Sequence, residues 1–318
     1  MDDSLYRILF LFTDLIMPMT AGYILYQKKI ISDRLCSKLI TINICFIYTL
    51  LAALSFWSIP LSWSLITLPI LGCLLVLVPG VIGFFTFAER YHSPRSRGAW
   101  YMSAMMTNLS TLGGLCAFII YGPDGFAYTQ LIGTFQLVMV ILVCFPLAAI
   151  FQQYAENRSK AARRPPLLPM LLTRNQLPIL GMFLGLLLNV LGIERPTFFS
   201  SLFSSFVHIG AWFGLLPVGC LVNFDHVKPY LVRTLDLIPL HFVIIPIIFY
   251  VPSLFLFDDP VIQGVILLEA AAPTAINAVV TSRLFRLTVD LSVASFLSTT
   301  VIYILVFFPV LFALVHLL

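Results

Sequence analysis

The stretch "GVILLEAAAPTAINAVVTSRLF" (264–285) has the apolar density of a membrane-spanning helix, yet it carries a glutamate and a proline four residues apart. An ionised carboxylate at the bilayer centre costs at least about 2.5–3.5 kcal/mol on insertion scales. A proline inside a helix removes a backbone hydrogen bond. Glu269 and Pro273 together therefore predict an interrupted helix with a polar task inside the membrane.

The rest of the chain agrees with that solvent. Of 318 residues, 60% are hydrophobic and only 10% charged, with a mean hydropathy of +1.01. A soluble domain needs roughly a quarter of its residues charged, so the expected class is an all-α integral membrane protein. The six cysteines fall in or beside apolar runs with no CxxC pair, and read as small packing residues. The five histidines show no ligand spacing, so neither a metal nor an organic cofactor is expected.

Apolar segments of about twenty residues, enough to span a bilayer, fall near 5–26, 36–58, 61–87, 98–121, 126–152, 176–193, 198–223, 229–256, 260–282 and 290–317. The first follows an acidic start, "MDDS", with no cleavage-like small residues after it, and is expected to be a retained span. The polar connector "YAENRSKAARRPPLLPMLLTRN" (154–175) divides the chain into five spans (1–153) and five more (176–318). Its double proline, Pro165-Pro166, and its charge suit a tether between halves.

Charge placement tests the count. All of the 18 basic residues except Arg7 and Arg195 fall in loops or flanks on one side of such a ten-span layout. By the positive-inside rule that side is cytoplasmic, and both termini lie outside the cytoplasm of a cell (inner) membrane. The net charge of +4 is then topological, and nucleic acid is not an expected partner. The Asn157-Arg-Ser sequon falls in the cytoplasmic connector and Asn108-Leu-Ser inside a span, so neither is expected to carry a glycan.

An odd number of spans per half requires related halves to be inserted upside down, an arrangement typical of secondary transporters. Pro18 and Gly22 in span 1 have a loose echo in Pro178 and Gly185 in span 6. The stronger correspondence is in the fourth member of each half. Span 4, "RGAWYMSAMMTNLSTLGGLCAFIIYG" (97–122), carries Asn108, Ser110, Thr111, Gly113 and Gly114 near its middle, and span 9 carries Glu269, Pro273, Thr274 and Asn277. At ~1.5 Å per residue, Asn108 lies roughly 16 Å from the end near Arg97, and Pro273 about 20 Å from the opposite end near Pro260. Two oppositely directed, broken helices thus meet at the midplane. Their exposed N–H ends favour an anion, whereas their C=O ends, with Glu269, favour a cation.

At these residues the sequence resembles the auxin efflux carrier family, within the larger group that includes the bile acid:sodium symporters. The similar features are the basic turn followed by Arg97-Gly98, Asn108 with Gly113, and Tyr121-Gly122 in the first half. In the second half they are Pro273-Thr274-Ala275 with Asn277, and the Ser/Thr-bearing tenth span. Leu115 stands where that family usually has a proline.

The resemblance implies ten transmembrane helices built as two inverted five-helix repeats. Spans 1, 2, 6 and 7 would form a scaffold, and spans 3–5 and 8–10 a mobile core in which spans 4 and 9 cross. It also implies a small organic anion such as malate, malonate or indole acetate as substrate. Elevator-type movement would carry it, and the scaffold allows a homodimer. The bile-acid branch places a sodium-binding glutamate where Glu269 lies, and its larger amphipathic anions are the alternative cargo. Na⁺ and H⁺ both remain open as the coupling ion.

Plainer readings exist for each residue. Glu269 could be a protonated structural carboxyl. Asn108 and Asn277 could be interhelical glue, worth ~0.6 kcal/mol. Pro273 could be an ordinary kink. Their shared depth weighs against all three. Asp14, halfway along span 1, is a second intramembrane carboxylate, with a proton-relay or substrate-path role and a structural one equally open. Asp236 lies one turn beyond Arg233, which predicts an ion pair at the membrane surface. A membrane-embedded enzyme would need a nucleophile and base in longer loops, and a channel does not require paired breaks.

Overall fold

The computed structural model describes residues 11–58, 64–86, 90–156, 177–220 and 224–317. Among the described residues, five helical stretches are long and apolar enough to cross a membrane: Arg34–Phe56, Ile66–Thr86, Phe198–Pro217, Lys228–Leu256 and Val289–Leu314. The chain is therefore a multi-pass, all-helical membrane protein, with no strand among the described residues. The five stretches match the expected spans 2, 3, 7, 8 and 10, and the expected spans 1, 4, 5, 6 and 9 are absent from the set, two of them, 4 and 9, for a visible reason. Each is split near its middle, so that neither half alone has the length of a span.

The first half runs through α1 (Met17–Gln27), α2 (Asp33–Ile42), α3 (Thr49–Phe56), α4 (Ser64–Thr86), α5 (Pro94–Met105), α6 (Gly114–Gly133) and α7 (Phe145–Glu156). The second runs through α8 (Leu177–Val190), α9 (Phe198–Cys220), α10 (Phe224–Leu231), α11 (Ile245–Leu256), α12 (Pro260–Ala270), α13 (Ile276–Leu284), α14 (Val289–Ile302) and α15 (Phe308–Leu317). Local chemistry sets several boundaries. Ser32 caps α2 by accepting from the Leu35 N–H, and Asp259 caps α12 by accepting from the Val261 N–H at 2.8 Å, with Pro260 in the first turn. Gly122, at φ +69°, takes a conformation costly for any residue with a Cβ, and divides α6 ahead of Pro123. The connector lies outside the described residues from 157 onward, as does its sequon.

Besides Gly72 of α4, which lies on the Ile132 carbonyl of α6, two helix pairs between the halves of the chain pack glycine on backbone among the described residues. Gly22 of α1 lies on the Leu216 carbonyl of α9, and Gly219 of α9 returns the contact on Met19. Gly181 and Gly185 of α8 lie on the Thr49 and Ala53 carbonyls of α3. This is the small-residue packing by which membrane helices approach closely without a hydrophobic drive between them. These pairs join spans 1 with 7 and 2 with 6.

Among the described residues, six π-helical turns interrupt the helices, at Leu11–Ile16, Asn43–Tyr48, Leu109–Gly113, Val140–Cys144, Leu240–Ile244 and Tyr303–Phe307. Such turns widen the backbone locally and leave side chains off the regular stripe.

Candidate binding site at two crossed helix breaks

α5 ends at Met105, and the chain runs extended through Met106 to Asn108 before the π-helical turn Leu109–Gly113 leads into α6. α12 ends at Ala270, and residues Ala271–Ala275 are non-helical before α13. The two interruptions lie against each other. Thr107 and Thr274 form an antiparallel bridge. The Asn108 N–H donates to the Pro273 carbonyl and the Ala275 N–H to the Met106 carbonyl, both at 2.7 Å.

Lipid cannot solvate the other backbone groups freed by the breaks, and the side chains of Gln136, Thr274 and Thr299 take some of them. Gln136 donates its amide to the Thr107 carbonyl at 2.5 Å. The Thr274 hydroxyl donates to the Ser103 carbonyl at the end of α5 at 2.8 Å. Thr299 of α14 accepts the Thr274 N–H at 3.1 Å. His241, fully buried, lies near the backbone of Ser103 and Ala272, and among the described residues neither of its ring nitrogens has a hydrogen-bond partner.

What stays unsatisfied is equally informative. Asn108 and Ala275 are the N-cap residues of the two outgoing half-helices, and neither gives a side-chain cap. Among the described residues, the side chains of Asn108 (half-buried) and Asn277 (exposed) have no hydrogen-bond partner. Two uncapped N-termini and two unengaged carboxamides therefore lie around one backbone bridge, on the side of positive helix-dipole potential.

Glu269, in the last turn of α12, has both carboxyl oxygens buried and without a hydrogen-bond partner among the described residues. Its carboxyl group occupies the space that a Cβ at Gly113 would fill. The Cys116 thiol and the Tyr303 hydroxyl lie within its electrostatic reach. No cluster of three or more His, Cys, Asp or Glu occurs among the described residues.

The structure thus gathers Asn108, Gly113, Glu269, Pro273, Thr274 and Asn277 in one place. Thr111 belongs to the same π-helical turn, and its carbonyl accepts from the Tyr48 hydroxyl at 3.2 Å. Gly114 faces Gln130, Phe126 and Thr129 of its own helix, at 3.3 Å from where its Cβ would be. The side chain of Ser110 lies outside the described set. Gly113 and Gly114 do not form the break itself. Their backbone is helical, with φ −58° at both, and the interruption precedes them at Met106–Asn108. Leu115, buried, continues the helix that a proline would have interrupted.

Asp14 is bound elsewhere. It pairs with His208 of α9, tying the π-helical entry of α1 to its packing partner. Asp236 corrects the sequence expectation. It is buried and accepts from the Tyr91 hydroxyl at 3.2 Å and from the Trp100 indole at 3.1 Å, while Arg233 lies over the Tyr230 ring. Burial, with Asp236 beside it, pushes the Tyr91 phenol up. Thr107, Gln136, His241, Thr299 and Tyr303 do not stand out as site residues in the sequence, because the groups they lie against are distant along the chain. A polar residue in an otherwise apolar run was their available signal.

No protein-family model matches the chain, and none of the curated proteins does.

Proposed function

We propose that the chain is a secondary carrier of a small organic anion, bound where the two broken helices cross. The observation that carries this reading is the pair of uncapped half-helix N-termini, with the free carboxamides of Asn108 and Asn277, around the Thr107–Thr274 bridge. Donors of this kind, fixed by backbone pairing, suit a carboxylate, which replaces water on each N–H. The resemblance to auxin efflux carriers points the same way.

An inverted repeat of ten spans is part of the proposal. The glycine-packed pairs of spans 1 with 7 and 2 with 6 exchange under such a two-fold relation, as do the two 2.7 Å bonds of the bridge. The bond symmetry is inherent in any antiparallel bridge, so the helix pairs weigh more. These pairs supply a rigid scaffold, against which the crossed helices move as one body. With basic loops cytoplasmic, both termini lie outside the cytoplasm.

Glu269 is the coupling residue in this reading. A carboxylate without a partner in an apolar surround is retained only at a cost of several kcal/mol, and binding of H⁺ or Na⁺ offsets it. Asn108→Ala and Asn277→Ala should each abolish substrate-induced thermal stabilisation in a panel of carboxylates, amino acids and aromatic and bile acids. Both proteins should remain folded in the membrane. Near-normal uptake into proteoliposomes by either variant would remove that asparagine from the site. Glu269→Gln should retain binding but lose the dependence of uptake on pH or Na⁺, and an unchanged dependence would make the residue structural.

A further inference from the structure

Asn43 opens the π-helical turn Asn43–Tyr48 between α2 and α3, at 2% exposure. Its Oδ1 is buried without a hydrogen-bond partner, and among the described residues its Nδ2 has none either. A buried amide left unpaired is costly, and native proteins rarely keep one without a use. Its carboxamide packs against α9, where a Cβ at Gly210 would lie 3.2 Å from Oδ1, but that face gives it no hydrogen bond. The notch at Gly214 of α9, where a Cβ would lie 2.8 Å from Asn43 Nδ2, also receives the Thr111 methyl group at 3.4 Å. Thr111 lies three residues beyond Asn108, and the Tyr48 hydroxyl holds its carbonyl. The scaffold thus brings a third unengaged carboxamide to the turn that starts at Asn108.

We infer that Asn43 binds a second polar group of the transported anion, so that the substrate is a small carboxylate bearing a neutral hydrogen-bonding substituent, such as a hydroxy acid. This rests on the carrier reading above. A simple aliphatic or aromatic monocarboxylate would engage Asn108 and Asn277 but leave Asn43 unpaired. A second carboxylate would find no cation. The basic residues of the site-forming helices stand off from the breaks along the chain: Arg34 and Lys38 of α2 precede Asn43 by nine and five residues, Arg95 and Arg97 of α5 precede Met106 by eleven and nine, and Arg283 of α13 follows Ala275 by eight, while Glu269 adds negative potential behind the bridge. An amide can donate to or accept from a hydroxyl, whichever way the carboxamide is turned.

The test is a matched pair. Lactate and propionate differ by one hydroxyl, and succinate and indole-3-acetate represent the other classes. Binding to the purified full chain is measured by calorimetry, with thermal shift as a second readout. The wild type should bind lactate about tenfold more tightly than propionate, the effect of one net hydrogen bond, and more tightly than succinate or indole-3-acetate. Asn43→Leu should bring the lactate-to-propionate ratio near one with propionate affinity unchanged, whereas Asn108→Ala should weaken both.

A wild-type ratio near one, or preference for succinate or indole-3-acetate, overturns the inference while leaving the carrier reading intact. Equal weakening of both ligands by Asn43→Leu overturns it too, as does no binding of any of the four. If Asn43→Leu fails to fold, Asn43→Ser is used and the wild-type ratio still decides. The carrier reading fails separately, if Asn108→Ala and Asn277→Ala leave binding across the wider panel unaltered.

Discussion

Gly113 is helical in backbone, so its lack of a side chain matters for space and not for conformation. The carboxyl of Glu269 fills that space. Gly113→Ala should displace the carboxyl, at a cost of about 1–3 kcal/mol for an overpacked site, and alter the cation dependence of uptake. Gly114→Ala should cost less, since only side-chain atoms at 3.3 Å stand near its missing Cβ. Unfolding temperature and uptake against pH and Na⁺, measured on both variants, check this. At this scale the sequence was partly legible. Glu269 and Asn108 announce themselves as polar groups in apolar runs. Asp236 misled because Arg233 is close in sequence, whereas Tyr91 and Trp100, its true partners, are more than a hundred residues away.

The two breaks differ in how they are encoded. Pro273 has no N–H to give, so the interruption after α12 is written into the local sequence. Met106, Thr107 and Asn108 contain no such breaker, and the extended geometry there depends on Gln136, Thr274 and the bridge. That is why the sequence located the span 4 break only through its polar residues and placed the glycines inside it. Gln136→Leu should orphan the Thr107 carbonyl, destabilising the fold by roughly 1–3 kcal/mol and loosening the first break more than the second. Amide exchange at residues 106–109, faster than at 272–275 in the variant, is the expected signature. The helix pairing by Gly181 and Gly185 was not foreseen, because glycine spacing fixes a close face but does not name the partner.

For the molecule as a whole, hydropathy and charge read the membrane class from composition alone, while the arrangement of helices depended on long-range pairing. Tyr48, before α3, and Phe126 of α6 stand with ring centroids 6.0 Å apart. If the crossed helices slide against the scaffold, cysteines placed at 48 and 126, in a background lacking the six native cysteines, should cross-link in one state only. A ligand favouring the other state should then slow the cross-linking. Cross-linking at a ligand-independent rate with transport intact would mean a rigid frame.

The bridge between Thr107 and Thr274 also has a consequence for how the protein is made. Its two strands belong to opposite halves of the chain, so while the ribosome has delivered only spans 1 to 5, the Met106 carbonyl and the Asn108 N–H have no partners to meet. The first half must wait in the bilayer with its backbone open at one point, and the site closes only when span 9 is inserted. Pairing of the two breaks is thus a late event of synthesis, followed only by the segment that brings Thr299 to the Thr274 N–H, and a chain truncated before residue 273 keeps both the Met106 carbonyl and the Asn108 N–H unpaired.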